Sequence, residues 1–433
     1  ASEDADVVIQ LHSVLKKAIQ EFNVGSVMTD IELPLIPVLA SMEHEGVNID
    51  AAFLNEYSKV LGMGINATEK KIYELAGVRF NISSPKQVGE VLFDRLKIPY
   101  KGKMTSTNQY STDEEKLNEL AHEHKIVDVI LEYRKLSKLK STYVDALPLM
   151  VNPRTLRVHS SFNQARAATG RLSSENPNLQ NIPIKNEEGR EIRKSFVPRN
   201  KDYIIVSADY SQIELRLIAD LSNETAMMDA FINNLDIHRA TAAKIYNIQY
   251  DEVSSDQRRN AKTINFSILY GAGSTNISRQ LGISRTEAKE LIDQYFVTYS
   301  GLKNYMNEVI KNAVENGYVS TMLGRKRILR DINSRNALAR TNSERVAINT
   351  PIQGTAADLI KIAMINIYQR FNKENLKSKM IMQVHDELVF DVLKSELDLV
   401  KKIVEFEMKN AIPNLKVPLE VGIGHGANWL EAH

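Results

Sequence analysis

Two acidic residues stand where a carboxylate needs a reason. Residues 207–216 read SADYSQIELR. The preceding run Tyr203 to Val206, YIIV, is short, apolar and β-branched, as a buried strand is. Beyond it Ile213, Leu217 and Leu221 recur at i, i+4 and i+8, which turns one helix face inward. Asp209 therefore falls between a strand and a helix, from where a side chain can point into a cleft. Asp is a poor strand former, so it either caps the helix, as Ser211 could, or serves chemistry. Asp386 raises the same question. It lies with His385 and Glu387 at the tip of a hairpin pattern, Met380 to Val392 (MIMQVHDELVFDV). Turn tips favour Asp anyway, but a short loop between buried strands is also the rigid support that a metal ligand wants.

A third stretch could bind an anion. Residues 253–271, VSSDQRRNAKTINFSILYG, pair Ser254 with Gln257 as a capping box and end on Gly271. That predicts a helix of about four turns. Arg258, Lys262, Phe266 and Tyr270 are spaced by four and share one face: cation, cation, aromatic, aromatic. Cations in the first turns oppose the helix dipole. The pattern suits either a basic stripe beside two core aromatics or a site where a triphosphate docks and a base stacks. The loop Thr169 to Pro183, TGRLSSENPNLQNIP, carries Arg171, Asn178, Gln180 and Asn181. These groups either satisfy their own backbone or face acceptors on a nucleic acid.

The elements that position these residues follow from periodicity. Helices are predicted over Asp6 to Phe22, Leu35 to His44, residues 51–76 and Lys125 to Leu147, with an interrupted, proline-containing stretch from Thr29 to Pro37. Asn81 to Lys86 caps a helix beginning near Gln87, and Tyr100 to Thr112 reads as a mobile surface loop. Helix 125–147 shows a basic face of Arg134, Lys135, Lys138 and Lys140, either solvated or tracking a phosphate backbone.

At 433 residues the chain predicts two to four domains, with the composition of a globular protein, 43% hydrophobic and 25% charged. No apolar run approaches the roughly 20 residues that span a bilayer, so no membrane partner is expected. The chain has no cysteine, which excludes disulfides, thiolate-bound zinc and a thiol nucleophile. A net charge of +1 leaves any polyanion binding to local patches. No Walker A, HExxH or GxSxG pattern occurs.

Together these stretches resemble the family A DNA polymerases (the bacterial DNA polymerase I group), over the polymerase region and without the exonuclease domain. DYSQIELR resembles the family's motif A, RRNAKTINFSILYG its motif B and VHDELVF its motif C, in the same order. TGRLSSENPNLQNIP, DIHRATAA (236–243) and NTPIQGTAADLIK (349–361) also match, and the likeness runs from about residue 6 to the C-terminus.

The resemblance implies an α+β right hand with an antiparallel-sheet palm and helical thumb and fingers. Residues 1–25 would end an upstream exonuclease-like domain, 26–150 form the thumb region, 151–214 and 348–433 the palm, and 215–347 the fingers. The implied function is template-directed addition of dNTPs to a primer 3′-hydroxyl with pyrophosphate release. Asp209, Asp386 and the Tyr210 carbonyl would hold two Mg²⁺ ions (Mn²⁺ as a substitute) roughly 3.5–4 Å apart. Lys262 and Glu387 would join the two aspartates as catalytic residues. Arg258, Lys262, Phe266, Tyr270, Glu214, His238 and Gln212 would bind the nucleotide, with Glu214 the steric gate against a 2′-hydroxyl. Phe rather than Tyr at 266 implies discrimination against dideoxynucleotides. Arg171, Asn178, Gln180, Arg345, Asn349, Gln353 and His385 would contact primer–template DNA, partly through minor-groove acceptors that all base pairs share.

Two positions depart from the family's pattern: Ser267 stands where Gly is usual, and Lys185 where Arg is common. Proofreading carboxylates would precede residue 1, so neither 3′–5′ exonuclease nor 5′ nuclease activity is expected of this chain. A cytoplasmic monomer at a bacterial nucleoid is expected, or an organellar one if a targeting segment is missing. The rivals are a single-subunit RNA polymerase, disfavoured by Glu214, and an inactive nucleic-acid clamp, disfavoured by the complete motif set.

Overall fold

The computed structural model describes residues 2–100, 102–121, 123–184 and 186–433. Its centre is a four-stranded antiparallel sheet of β1 (Tyr203–Tyr210), β2 (Lys379–Val384), β3 (Glu387–Leu393) and β4 (Val421–Gly426), in the order β2-β3-β1-β4. β1 is an inner strand covered on both faces, which is why its sequence is apolar without alternation. The two-residue period still sorts its side chains. Val206, Ala208 and Tyr210 enter one core with Leu388, Phe390 and Val392, while Ile205 enters a second with Val384, Val389 and Trp429. Asp209 has the parity of Ile205.

The helices answer to simple rules. Ser2–Glu21 (α1) and Leu33–Glu45 (α2) come first, and the stretch between 29 and 37 proves helical: Val27–Glu32 forms a wide turn that runs into α2. Pro34 lies in the first turn of α2 and Pro37 inside it, yet buried Leu35, Val38, Leu39 and Met42 hold the helix through both, so the expected interruption does not occur. Ala51–Ala76 (α3) is capped by Asp50, whose side chain accepts from Phe53 N, and it stops at a left-handed Gly77. Its early residues Leu54 and Leu61 pack in the sheet-side core, and its last turns, Ile72 and Ala76, in a separate core with Val88, Leu92 and Phe93. Lys125–Leu139 (α4) makes the reverse journey, from Val127 and Ile130 in that outer core to Leu136 and Leu139 in the inner one. Two antiparallel helices thus carry an outlying core away from the sheet.

The helix expected to continue to 147 widens at Lys140–Val144 and resumes over Ala146–Leu149. Two of the four cations on its basic face are neutralised. Lys135 pairs with Glu132 at 2.7 Å and Glu188 at 3.0 Å, Lys140 pairs with Asp145 at 2.7 Å, and Arg134 binds Thr112. Lys138 stays exposed.

Beyond β1 come Ile213–Ser222 (α5), Ile237–Ile245 (α6) and Ser255–Leu269 (α7), then Ala337–Lys373 (α8). Among the described residues no helix is long and apolar enough to cross a membrane.

Candidate active site

Asp386 belongs to the two-residue turn between β2 and β3, whose register pairs Val384 with Glu387. His385 takes a left-handed φ of 53° there, a conformation that costs a residue with a Cβ roughly 1–2 kcal/mol. The turn is tied to β1 by Tyr210 N, which donates to the Asp386 carbonyl at 3.2 Å. Asp209 lies opposite Glu387 across the same strand pair. Residues 177 apart in the chain therefore meet at one end of the sheet. Neither Asp209 nor Ser211 caps α5: the N-cap position is Gln212, left-handed at φ 56°, and it makes no side-chain cap.

The electrostatics of this end are unbalanced. Burial, followed by the charges of Glu387 and Asp386, pushes the Asp209 carboxyl up to about 6. Burial likewise pushes Asp386 up to about 6, against the Arg171 guanidinium and with Glu214 adding to the rise. Glu387 differs. Burial works to raise it, but hydrogen bonds from His433, Ser207 and Trp429 and the charge of Arg193 hold it below the ordinary carboxylate range. Its contacts are Ser207 Oγ at 2.6 Å, Trp429 Nε1 at 2.6 Å and Arg193 Nη1 at 3.4 Å. Arg193 also stacks over the Trp429 ring at 3.9 Å. Glu387 is thus spoken for, whereas Asp209, with Arg193 and His433 nearby, and Asp386, with Arg171 nearby, form no ion pair of their own among the described residues.

Helix α7 begins with the predicted capping box, Ser254 accepting from Gln257 N while the Gln257 side chain accepts from Ser254 N. Lys262 is exposed on the expected face. Arg258 is held by Asp236, with Nε at 2.8 Å and Nη2 at 2.6 Å from one carboxylate oxygen. Asp236 also caps α6 by accepting from His238 N and Arg239 N. The sequence reading missed Asp236, although an Asp directly before an apolar helical pattern signals a cap. At the other end of the face the Tyr270 hydroxyl donates to Glu214 Oε2 at 2.6 Å, and Arg171 Nη2 donates to Glu214 Oε1 at 2.7 Å. Glu214 is only 6% exposed. The Phe266 ring lies 5.7 Å from that of His238, whose Nε2 is 3.5 Å from the Gln212 amide nitrogen.

A cleft of about 570 Å³ opens along this face, lined by Lys262, Phe266, Tyr270 and Arg345. Gly271, at φ +68°, is obligatory at its rim, since a Cβ there would come within 2.9 Å of Arg345 Cγ. A larger cleft, about 1030 Å³, separates α4 from residues 176–183, with Arg134, Lys138, Asn178 and Asn181 on its walls.

The remaining candidates are distributed as follows. Asn178 spends its side-chain oxygen on Gln180 N at 3.1 Å, as a self-bonded loop does. Gln180 reaches Gln383 at 2.9 Å, which ties the loop to the hairpin that holds Asp386. His385 is exposed, but partial loss of water around its ring, with the Arg171 and Arg193 charges nearby, lowers its basicity. Arg345, Asn349 and Gln353 recur at i, i+4 and i+8 along α8, and Asn349 Oδ1 is buried without a hydrogen-bond partner. Ser267 is buried in α7. Lys185 lies outside the described residues. No cluster of three or more His, Cys, Asp or Glu suited to a metal occurs among the described residues. Hard carboxylate oxygens with excess charge and no closed cage are nonetheless the donor set that Mg²⁺ uses at phosphate sites, since it keeps water and takes substrate oxygens.

Comparison with known proteins shows the family. The profile of DNA polymerase family A matches residues 51–431. DNA polymerase I of Pseudomonas aeruginosa is 47% identical over the whole chain, which covers 47% of that protein, and DNA polymerase I of Bacillus subtilis is 44% identical over 98% of the chain, covering 48%. The chain thus spans about half the length of the curated relatives it matches. Among solved structures, the POL domain of Pol1 from M. smegmatis in complex with DNA primer-template and dNTP superposes with a TM-score of 0.93 at 40% identity. That match covers 98% of this chain and 74% of the other.

Proposed function

The chain belongs to DNA polymerase family A, and from that premise we propose that it catalyses template-directed DNA synthesis, adding deoxynucleotides to a primer 3′-hydroxyl with release of pyrophosphate. The observation that carries this is the meeting of Asp209 and Asp386 at one end of the sheet, with the cation-and-aromatic helix tied to the following segment through Tyr270 and Glu214. Asp209, Asp386 and the Tyr210 carbonyl hold two Mg²⁺ ions in this reading. When bound, such ions acidify the 3′-hydroxyl and neutralise the leaving pyrophosphate. Glu387 acts behind them, anchoring β3 to Ser207 and Trp429.

Lys262 and Arg258 take the triphosphate, and Arg258 must first exchange Asp236 for phosphate oxygens. Phe266 packs on sugar and base, while His238 and Gln212 flank the phosphates. Glu214 blocks the 2′ position, and in the nucleotide-free chain Tyr270 and Arg171 hold it in place. Arg171, Arg345, Asn349, Gln353, Gln180, Asn178 and His385 border the duplex. The unpartnered Asn349 oxygen supports that assignment, because a buried acceptor is costly unless something donates to it. Residues 26–150 serve as the thumb region, 151–214 and 348–433 as the palm and 215–347 as the fingers. The working unit is a monomer in the bacterial cytoplasm.

Primer extension by the purified chain with Mg²⁺, comparing one dNTP with the matching rNTP, tests the proposal. Extension restricted to dNTPs is expected. Preference for the rNTP points to an RNA polymerase, and DNA binding without extension to a clamp.

A further inference from the structure

Asn265, on α7 between Lys262 and Phe266, is a fully buried amide that the polymerase assignment leaves without a task. Ile264 and Ile268 beside it are core residues, and an apolar side chain would pack there without needing hydrogen bonds. The amide nitrogen instead lies 3.1 Å from Thr241 Oγ1 and 3.0 Å from His238 Nδ1, both on α6 and both buried.

Hydrogen accounting identifies the donor at each contact. The single Thr241 hydroxyl hydrogen has two acceptors in reach, the Ile237 carbonyl at 2.8 Å and Asn265 Oδ1 at 3.3 Å, and the shorter contact takes it. Thr241 Oγ1 therefore accepts, from Tyr299 OH at 2.9 Å and from one amide hydrogen of Asn265. The second amide hydrogen goes to His238 Nδ1. A ring nitrogen that accepts carries no proton, so a neutral His238 bears its proton on Nε2. The ring is neutral because burial, opposed by Asp236 but aided by Lys262 and Arg258, pushes it down to about 4. The Gln212 amide nitrogen faces Nε2 at 3.5 Å, too long a contact to hold the proton off Nε2 against the 3.0 Å one at Nδ1.

Resting on the nucleotide-site assignment above, we propose that Asn265 is a positioning residue: it holds the His238 ring as the Nε2–H tautomer, aiming a neutral N–H donor at a phosphate oxygen of the incoming dNTP. The opposite tautomer would turn a lone pair toward that oxygen and repel it. Asn265 thereby couples the helix that carries Lys262 to the one that carries His238.

Two measurements on the full chain test this. Long-range ¹H–¹⁵N spectra of histidine-labelled protein, with His238→Gln identifying the resonance, should show Nε2 protonated and Nδ1 bare. A proton on Nδ1 overturns the proposal. In steady-state extension, Asn265→Leu should raise KM for dNTP roughly tenfold, as loss of a hydrogen bond to a charged ligand does, with kcat much less affected. In a His238→Ala background the same change should alter KM less than about twofold. An equal rise in both backgrounds means a packing role and overturns the proposal. If Asn265→Leu fails to fold, Thr241→Val frees the same amide and should shift KM in the same direction; no shift counts against the proposal. Failure of the unmutated chain to extend primers refutes the polymerase assignment instead, and the spectrum still reports the tautomer.

Discussion

Replacing Glu214 separates two ways in which this site could refuse a ribonucleotide. The carboxylate is buried and clamped from both sides, by Tyr270 at 2.6 Å and Arg171 at 2.7 Å, so it cannot swing aside to admit a 2′-hydroxyl. Forcing an extra atom into packed space costs about 1–3 kcal/mol. Burying a hydroxyl that finds no partner costs about 1–3 kcal/mol more. The gate should therefore discriminate by about 2–6 kcal/mol, or roughly 30-fold to 10⁴-fold. Glu214→Ala removes both contributions and should raise the rNTP/dNTP ratio of kcat/KM by roughly that factor. Glu214→Gln keeps the volume and can still accept from Tyr270, but it loses the charge that Arg171 meets. It should leave the ratio within about threefold of the parent while weakening dNTP use, by less than ~1 kcal/mol because Arg171 is 41% exposed. Single-nucleotide extension with matched dNTP and rNTP measures both. If Glu214→Gln relaxes the ratio as far as Glu214→Ala, charge rather than bulk sets selection. If neither does, Glu214 is no gate.

Other perturbations should be equally diagnostic. Asp209→Asn or Asp386→Asn should lower extension by about 10³-fold or more while sparing primer–template binding. Because folding raises both carboxyls to about 6, ionised Asp209 and Asp386 cost stability that grows as pH rises from about 4 through 6. With divalent ions chelated at pH 7, each Asn variant should therefore melt higher, by up to about 3 kcal/mol; a lower Tm contradicts the charge imbalance. Lys262→Ala should cut kcat/KM by about 10²-fold yet change stability by less than ~0.5 kcal/mol, since the side chain is exposed. Glu32→Ala should be costly for the fold. It strands the buried Lys361 (2.7 Å away) and takes a partner from Arg325, so denaturant titration should show a loss of about 3–5 kcal/mol, and a loss below 1 would contradict it.

Much of the local architecture was readable in the chain. The capping box at Ser254, the bounds of 51–76 and the strand at Tyr203 follow from hydrogen bonds and burial periods that repeat within a few residues. The four-residue spacing put Arg258, Lys262, Phe266 and Tyr270 on one face, and the helix has them there. Where local reasoning erred, the competing effect was also physical. The prolines at 34 and 37 joined a helix because Leu35, Val38 and Leu39 pack between and beyond them, and two of the four cations on the basic face, Lys135 and Lys140, met acidic partners, among them Glu188, 53 residues away from Lys135.

Composition and pattern by themselves determined which elements form, which faces are apolar, and, through six motifs in order, the family to which the chain belongs. Tertiary structure alone decided what those elements do to one another. Asp209 and Asp386 meet because β1 and β3 pair in a register that no nearby residue specifies. Arg258 is occupied because Asp236 caps a neighbouring helix, and Asn265 orients His238 because α6 and α7 pack side by side. Propensity is local and can be read from a short window. Charge, burial and hydrogen-bond accounting are set by what arrives from far along the chain, and at this site they depend on those arrivals.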